Sequence, residues 1–263
     1  MDAVVLVGGF GTRLRPLTLT RPKQMLAIVD RPMIEHVCEH LCAQGVSRAV
    51  LALGYRPDVF VETYPDGRCG GLELHYAVED EPLDTAGAIR FAAAEAGIDD
   101  TFVAVNGDVL TDLSLQAVLD FHQRNGALGT IHLTPVDDPS RYGVVPIDDT
   151  GRVIDFVEKP PPGTAPSRWI NAGTYVLEPE VLDRIELGER VSIERTTFPA
   201  LAAEGVLYAV EDDCYWIDTG TPETYIRAQL DLVAGRRGGS WPAVAAEARI
   251  HPHARLHDSV VMS

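Results

Sequence analysis

Lysine is nearly missing from this chain: of 22 basic residues, twenty are arginines and only Lys23 and Lys159 are lysines. A sequence that uses arginine everywhere else keeps a compact, rotatable ammonium at two places. That suits a point charge that must follow a phosphate, a task a planar guanidinium does not share. Positive charge is scarce overall. The formal net charge of −17 argues against nucleic acid or an anionic membrane surface as a general partner, so a polyanionic ligand must meet a local cluster of cations. One exists: Arg13, Arg15, Arg21 and Lys23 lie in a stretch with no acid between Asp2 and Asp30. Long apolar runs are absent as well, and none approaches the roughly 20 residues that span a bilayer. The opening Met1-Asp2, followed at once by Ala3–Val7, lacks the basic region and cleavage site of a signal peptide, and the expected location is cytoplasmic. Cys38, Cys42, Cys69 and Cys214 form no C-x-x-C pair, which leaves reduced thiols rather than a metal knuckle or disulfide framework.

What is present reads as an ordinary globular chain, 46% hydrophobic and 23% charged. Ala3–Val7 is a continuous apolar run, the mark of a buried parallel strand. Met33–Gln44 is amphipathic with helical spacing and stops at Gly45. Strands are expected at Arg48–Leu53, Leu72–Val78 and Thr101–Val105, and helices at Ala86–Ala96 and Ser114–Arg124, the latter capped by Ser114 and stopped by Gly126. This alternation predicts a parallel, doubly wound sheet over about the first 130 residues. The second half changes character. Gly143–Ile147 and Arg152–Val157 flank Asp148-Asp149-Thr150-Gly151, a hairpin signal. Ile170–Leu177 reads as a strand, and Pro179–Ile185, Ile193–Glu204 and Thr221–Ala234 read as helices.

Gly235–Ser240 is a linker. Beyond it Ile250, Leu256 and Met262 recur every six residues, with Ala254 and Val260 on a second track. Six is the period of a parallel β-helix coil. Too few coils are present to bury a core, so the tail is either the remnant of a longer parent or docks on the main domain; chance spacing in an irregular tail is the alternative. Trp241-Pro242 reads as its anchor.

After the first strand comes Gly8-Gly9-Phe10-Gly11-Thr12-Arg13-Leu14-Arg15-Pro16-Leu17. Glycines let the backbone turn tightly and bring its N–H groups close to a ligand. A dinucleotide fingerprint starting at Gly9 needs a glycine where Leu14 stands, and a Walker loop starting at Gly8 needs Gly-Lys where Arg13-Leu14 stands. What remains is a loop of backbone donors and guanidinium forks suited to several phosphates at once.

That loop, with Thr18 and Arg21-Pro22-Lys23, resembles the signature of sugar-1-phosphate nucleotidyltransferases. The resemblance continues through Glu81-Pro82-Leu83-Asp84-Thr85-Ala86-Gly87, Asn106-Gly107-Asp108, Tyr142-Gly143, Glu158-Lys159-Pro160, Asn171-Ala172-Gly173 and Trp216-Ile217-Asp218-Thr219-Gly220-Thr221-Pro222. It covers about residues 3–235 and is most similar to the mannose-1-phosphate guanylyltransferase branch. It implies an α/β, Rossmann-like doubly wound mixed sheet as a catalytic domain over residues 1–235. Residues 236–263 then form a linker and a short tail resembling the start of a left-handed β-helix. It implies transfer of a nucleotidyl group from an NTP to a sugar 1-phosphate, with GTP and mannose 1-phosphate as the first expectation. Another NTP, another sugar or cyclitol phosphate, or a silent ligand-sensing homologue are the alternatives.

The resemblance also assigns roles. Arg13 and Lys23 would steady the nucleotide phosphates and the departing pyrophosphate. Leu6, Gly8, Gly9, Gly11, Thr12, Glu81 and Gly107 would complete the nucleotide site, while Leu83, Thr85 and Gly87 meet the base. Lys159 would hold the sugar phosphate and Glu158 a sugar hydroxyl, with Tyr142, Gly143, Asn171, Gly173 and Trp216 around the sugar. A homodimer is among the expected assemblies. Asp84, where glycine is usual, and Gln24 and Ile28, where prolines are common, depart from the pattern.

Nucleotidyl transfer needs positioning and cationic stabilisation, usually with magnesium, which takes one or two carboxylates. Asp108 follows the strand Thr101–Val105 and its Asn-Gly turn, and Asp218 follows Tyr215-Trp216-Ile217. Both fit the carboxyl end of a strand, where open α/β sheets bind ligands, and in the family resembled these positions hold Mg2+. His36-Val37-Cys38-Glu39-His40 matches a zinc-protease pattern without a third ligand, and His251, His253 and His257 read as a solvated tail.

Overall fold

The computed structural model describes residues 1–238 and 241–262. Its strands in chain order are β1 (Asp2–Leu6), β2 (Ala27–Ile28), β3 (Arg31–Pro32), β4 (Arg48–Leu53), β5 (Arg68–Cys69), β6 (Leu72–Val78) and β7 (Phe102–Asn106). They continue with β8 (Val109–Thr111), β9 (Gly129–Pro135), β10 (Gly143–Val144), β11 (Val157–Glu158), β12 (Trp169–Leu177), β13 (Leu207–Glu211) and β14 (Trp216–Asp218). The α-helices are α1 (Met33–Ala43), α2 (Pro57–Thr63), α3 (Asp84–Ala96), α4 (Leu115–Asn125), α5 (Phe198–Ala203) and α6 (Pro222–Val233).

One mixed sheet organises the molecule, in the order β11-β10-β12-β7-β1-β4-β6-β5, with β9 on β12 and β13 on β9. The neighbours β7, β1, β4 and β6 are parallel. β12 runs antiparallel to β7, β9 and β10, while β13 pairs with β9 in parallel. Side chains alternate across the sheet, so Ala3, Val5 and Val7 face one core and Val4 the other. Met33, Ile34, Val37 and Leu41 of α1, with Tyr225, Ala228 and Leu232 of α6, close the first face. The alanine-rich α3 and Phe198 and Leu201 of α5 close the second. Each fully buried Leu, Ile or Phe contributes about 1.5–3 kcal/mol, which is why the continuous apolar strands sit at the centre.

Capping follows the sequence signals. The Ser114 hydroxyl accepts the Ala117 N–H at the start of α4, and Gly126 ends it in the left-handed conformation. Thr221 and Thr224 form a capping box on α6. Other expectations need correction. Ile193–Glu204 is helical but not uniform: a π-type turn over Ile193–Thr197 runs directly into α5, because Pro199 has no N–H for an α-helical bond. Pro179–Arg184 is a 3-10 turn. The hairpin is reduced to β10 with β11 and one Ile147–Val153 bridge, since Pro146 cannot donate to a ladder and the Val153 N–H donates to Leu207 of β13 instead. All four cysteines are free.

The tail does not form β-helix coils among the described residues. Ile250, Leu256 and Met262 are 38%, 43% and 40% exposed, and a single parallel bridge joins Val244 to Val261. Six-residue repeats bury their apolar track only between stacked coils. Of the expected linker, Gly239 and Ser240 lie outside the described residues, while Gly235 and Gly238 have positive φ. Trp241 does anchor the tail, its ring 4.7 Å from the Arg31 guanidinium and 5.3 Å from the His36 imidazole. No helix among the described residues is long and apolar enough to cross a membrane.

Candidate active site

The chain leaves β1 still bonded to the sheet, Val7 N donating to Ala52 O at 3.1 Å, and then turns through the glycine loop over the strand ends. Gly11 is left-handed, with φ 59. A Cβ there would lie 2.9 Å from the Thr18 methyl and 3.2 Å from Lys23 Cβ. The loop thus folds back on Thr18–Lys23, and the Thr18 hydroxyl fixes it by donating to Gly11 O at 2.7 Å. Leu14 is buried beneath a short 3-10 turn, which leaves its neighbour Arg13 exposed to the cleft. Outside, the Phe10 ring rests 5.4 Å from Tyr55, whose hydroxyl donates to Leu19 O.

Two carboxylates stand below this loop. β8 and β14 form a separate antiparallel ladder in which Asp218 lies opposite Val109, next in chain to Asp108. The Thr219 N–H and hydroxyl both donate to the Asp108 carbonyl, at 3.0 and 2.8 Å, so the two aspartates are tied through backbone. Lys23, opening its own 3-10 turn, pairs with the Asp108 carboxylate. Gly220 N donates to Asp218 Oδ1 at 2.7 Å. Burial first, and then the charge of Asp108, raises the Asp218 pKa above its ordinary value, against the opposing pull of Lys23 and Arg13.

The cleft that these groups share holds about 520 Å3. On one side Tyr142 and Trp216 meet edge to face at 6.0 Å, and the Trp216 indole N–H donates to Ala172 O at 2.8 Å. Register between β12 and β9 shifts between Asn171 and Tyr175, and the bend turns Asn171 and Ala172 into the cleft. The Asn171 amide is fixed by Tyr175 Oη and by Gly173 N, both at 2.9 Å. At the other end the lining is Glu79, Pro82, Asp84, Thr85, Ala88 and Arg190.

The nucleotidyl transferase family model matches residues 2–235. The chain belongs to the nucleotidyl transferase family. Among its relatives, a mannose-1-phosphate guanylyltransferase of Mycobacterium tuberculosis is 45% identical over 237 residues, which is 89% of this chain and 65% of that protein. A mannose-1-phosphate guanyltransferase of Candida albicans is 45% identical over 86% of this chain and 63% of its own length. This chain therefore spans less than two thirds of these relatives. Among solved structures, HddC from Yersinia pseudotuberculosis, also crystallised with GMP-PN, is 32% identical with a TM-score of 0.74, covering 87% of this chain and 97% of that one. A putative glucose-1-phosphate thymidylyltransferase of Bacillus anthracis has a TM-score of 0.77 at 25% identity, covering 87% and 94%.

In this nucleotidyl transferase the structure brings Leu6, Gly8, Gly9, Arg13, Lys23, Thr85, Asp108, Tyr142, Asn171, Trp216 and Asp218 to one cleft. Gly11, Gly87, Gly107, Gly143 and Gly173 do not line it. They are small because neighbours crowd them: a Cβ at 107 would strike Val7, one at 143 the Phe156 ring, and one at 173 Asn106. Thr12 and Glu81 are exposed outside the cleft, and Leu83 acts through its backbone, its N–H on Glu79 Oε2 at 3.1 Å and its carbonyl on Val191 N. Glu158 and Lys159 pair with each other at 2.8 Å on the β11 edge, with Lys159 N bonded to Tyr142 O and its side chain 59% exposed. Glu79 and Arg190 had not been expected. Glu79 follows β6 directly, so the strand-end rule was available to find it; Arg190 has no local signal. The His36–His40 pattern is structural: His36 Nε2 lies 3.0 Å from Ile28 O, and no group of three acids, histidines or cysteines suited to a metal occurs among the described residues.

Proposed function

We propose that this protein transfers a guanylyl group from GTP to mannose 1-phosphate, giving GDP-mannose and pyrophosphate. The observation that carries the reading is the convergence of Arg13 and Lys23 on two strand-end carboxylates, Asp108 and Asp218, under a glycine loop. Relatives named for this reaction, at 45% identity, support the choice of substrates.

The sugar phosphate oxygen is already ionised at neutral pH and needs no general base. It bonds to the α-phosphorus of GTP as the bond from that phosphorus to the bridging oxygen breaks, and the electron pair leaves with pyrophosphate. Loop N–H groups and the Arg13 fork hold the phosphates. The Lys23 ammonium, with its stem 3.8 Å from where a Gly9 Cβ would stand, turns from Asp108 to the charge that develops on the leaving group. Tyr142 and Trp216 supply apolar edges for the sugar ring, and the fixed Asn171 side chain supplies a polar contact. Lys159 turns from Glu158 to the sugar phosphate.

Asp108 and Asp218 fit a magnesium ion. Such an ion takes one or two carboxylates and completes its shell with phosphate and water. The carboxylates of both aspartates share one cleft, Asp108 tied to Thr219 beside Asp218 through backbone. When bound, magnesium offsets the charge on the phosphate oxygens.

The test is pyrophosphate release with magnesium, each common NTP and a panel of sugar 1-phosphates. GTP with mannose 1-phosphate is expected to give the highest kcat/KM, and no release with any pair refutes the proposal.

A further inference from the structure

The lining of the cleft is divided by chemistry. Arg13, Lys23, Asp108 and Asp218 form the phosphate end. Beyond them, past the ends of β1, β4 and β6, the walls are Leu6, Ala52, Pro82 and Ala88, and charge appears as Glu79, Asp84 and Arg190. Apolar walls with polar groups at the edge suit a planar heteroaromatic base. Arg190 is brought there by backbone. Val191 N donates to Leu83 O at 3.0 Å, and Ala86 N and Gly87 N donate to Val191 O at 2.9 and 3.2 Å. The first turn of α3 has N–H groups without helical partners, and Val191 satisfies that of Ala86. Ile193 N on the Thr85 hydroxyl, at 2.8 Å, extends the seam. Arg190 itself is exposed to the cleft. Lys23, Lys159 and Arg184 are all paired with acids, whereas Arg190 has no ion pair among the described residues.

We propose that Arg190 reads the nucleotide base, donating two N–H groups to O6 and N7 of guanine. This rests on the guanylyl-transfer reading above. Guanine presents adjacent acceptors on that edge, and a guanidinium fork matches them in a bidentate contact. Adenine presents an N–H donor beside N7, which opposes the fork, and pyrimidines have no N7. The opposite edge of guanine carries the N1–H and N2–H donors. Glu79 and Asp84 are acceptors at the same end: Glu79 is half-buried with its carboxyl pKa raised by burial, and Asp84 is exposed.

The experiment compares wild type, Arg190→Ala and Arg190→Lys with GTP, 7-deaza-GTP and ATP varied at saturating mannose 1-phosphate and magnesium, and with mannose 1-phosphate varied at saturating GTP. A bidentate contact of this kind corresponds to a roughly 5- to 150-fold loss of kcat/KM for GTP in Arg190→Ala, carried by KM for GTP, with KM for mannose 1-phosphate unchanged. Lysine should restore part of it. The wild type should lose several-fold with 7-deaza-GTP, and the alanine variant should show no such penalty. Equal 7-deaza penalties in both proteins, an unchanged KM for GTP, or the same loss with every NTP overturns the assignment. Failure of the guanylyl reading looks different, since the wild type itself would then prefer another NTP.

Discussion

Replacing Gly87 with alanine sets two opposed effects against each other. Gly87 lies inside α3, where alanine is favoured over glycine by about 1 kcal/mol. A Cβ at this position would overlap the Glu189 carbonyl oxygen and lie 2.9 Å from Leu83 Cβ and 3.4 Å from Val191 N. The obstacle is backbone, so the Glu189–Val191 segment must move off the helix. With it go up to three hydrogen bonds, from Ala86 N and Gly87 N to Val191 O and from Val191 N to Leu83 O. At about 0.5–1.5 kcal/mol each, their loss amounts to roughly 1.5–4.5 kcal/mol and outweighs the propensity gain. A net loss of about 2 kcal/mol lowers Tm by about 4–8 °C in a chain near this size. Circular-dichroism melting measures that fall. Steady-state kinetics should show KM rising for the NTP and holding for the sugar 1-phosphate, because the displaced segment carries Arg190. An alanine variant that melts at or above wild type, with both KM values intact, refutes the packing argument.

Asp218→Asn, and equally Asp108→Asn, is expected to reduce turnover below detection at millimolar magnesium while circular dichroism stays native; full activity removes that residue from the metal site. Lys23→Arg keeps the charge but replaces the compact ammonium with a planar fork, and kcat should fall at least tenfold in a pyrophosphate-release assay; a wild-type rate contradicts the point-charge argument. His132 on β9 is fully buried, neither ring nitrogen has a hydrogen-bond partner, and burial lowers its pKa to about 4. The unfolded chain binds this proton below about pH 6.5 and the folded chain only below about 4. Stability is therefore lost as pH falls across that window, by about 3 kcal/mol from this group. His132→Leu should flatten the melting curve between pH 6.5 and 4; an unchanged slope would falsify the assignment of that loss to His132.

The sequence is most legible where local signals and the fold agree. The apolar run of β1, the caps Ser114, Gly126 and Thr221, and the alternation around α1, α3 and α4 each state their own structure. Asp108 and Asp218 were legible as strand-end carboxylates, although nothing in the chain near either one announces that β8 and β14 pair. β9 and β13 pair with strands far away in sequence, β9 on β12 and β13 on β9, although Thr130–Thr134 of β9 alternates polar and apolar residues as a strand does. The helix expected over Ile193–Glu204 is present, but its first turn is π-type, because Pro199 has no N–H for an α-helical bond. A Cβ at Gly87, Gly107, Gly143 or Gly173 would meet atoms of the protein, so those motifs also record how tightly segments pack around the cleft. Arg190 illustrates the remainder: its place depends on hydrogen bonds between residues about a hundred positions apart, which no spacing within the chain encodes.

The most direct test follows the atoms. With GTP labelled at the α-phosphorus, mannose 1-phosphate and magnesium, the label should appear in GDP-mannose, with one pyrophosphate released per molecule formed. Label appearing in GMP instead, or GDP-mannose failing to form while another NTP and sugar 1-phosphate react, contradicts the account.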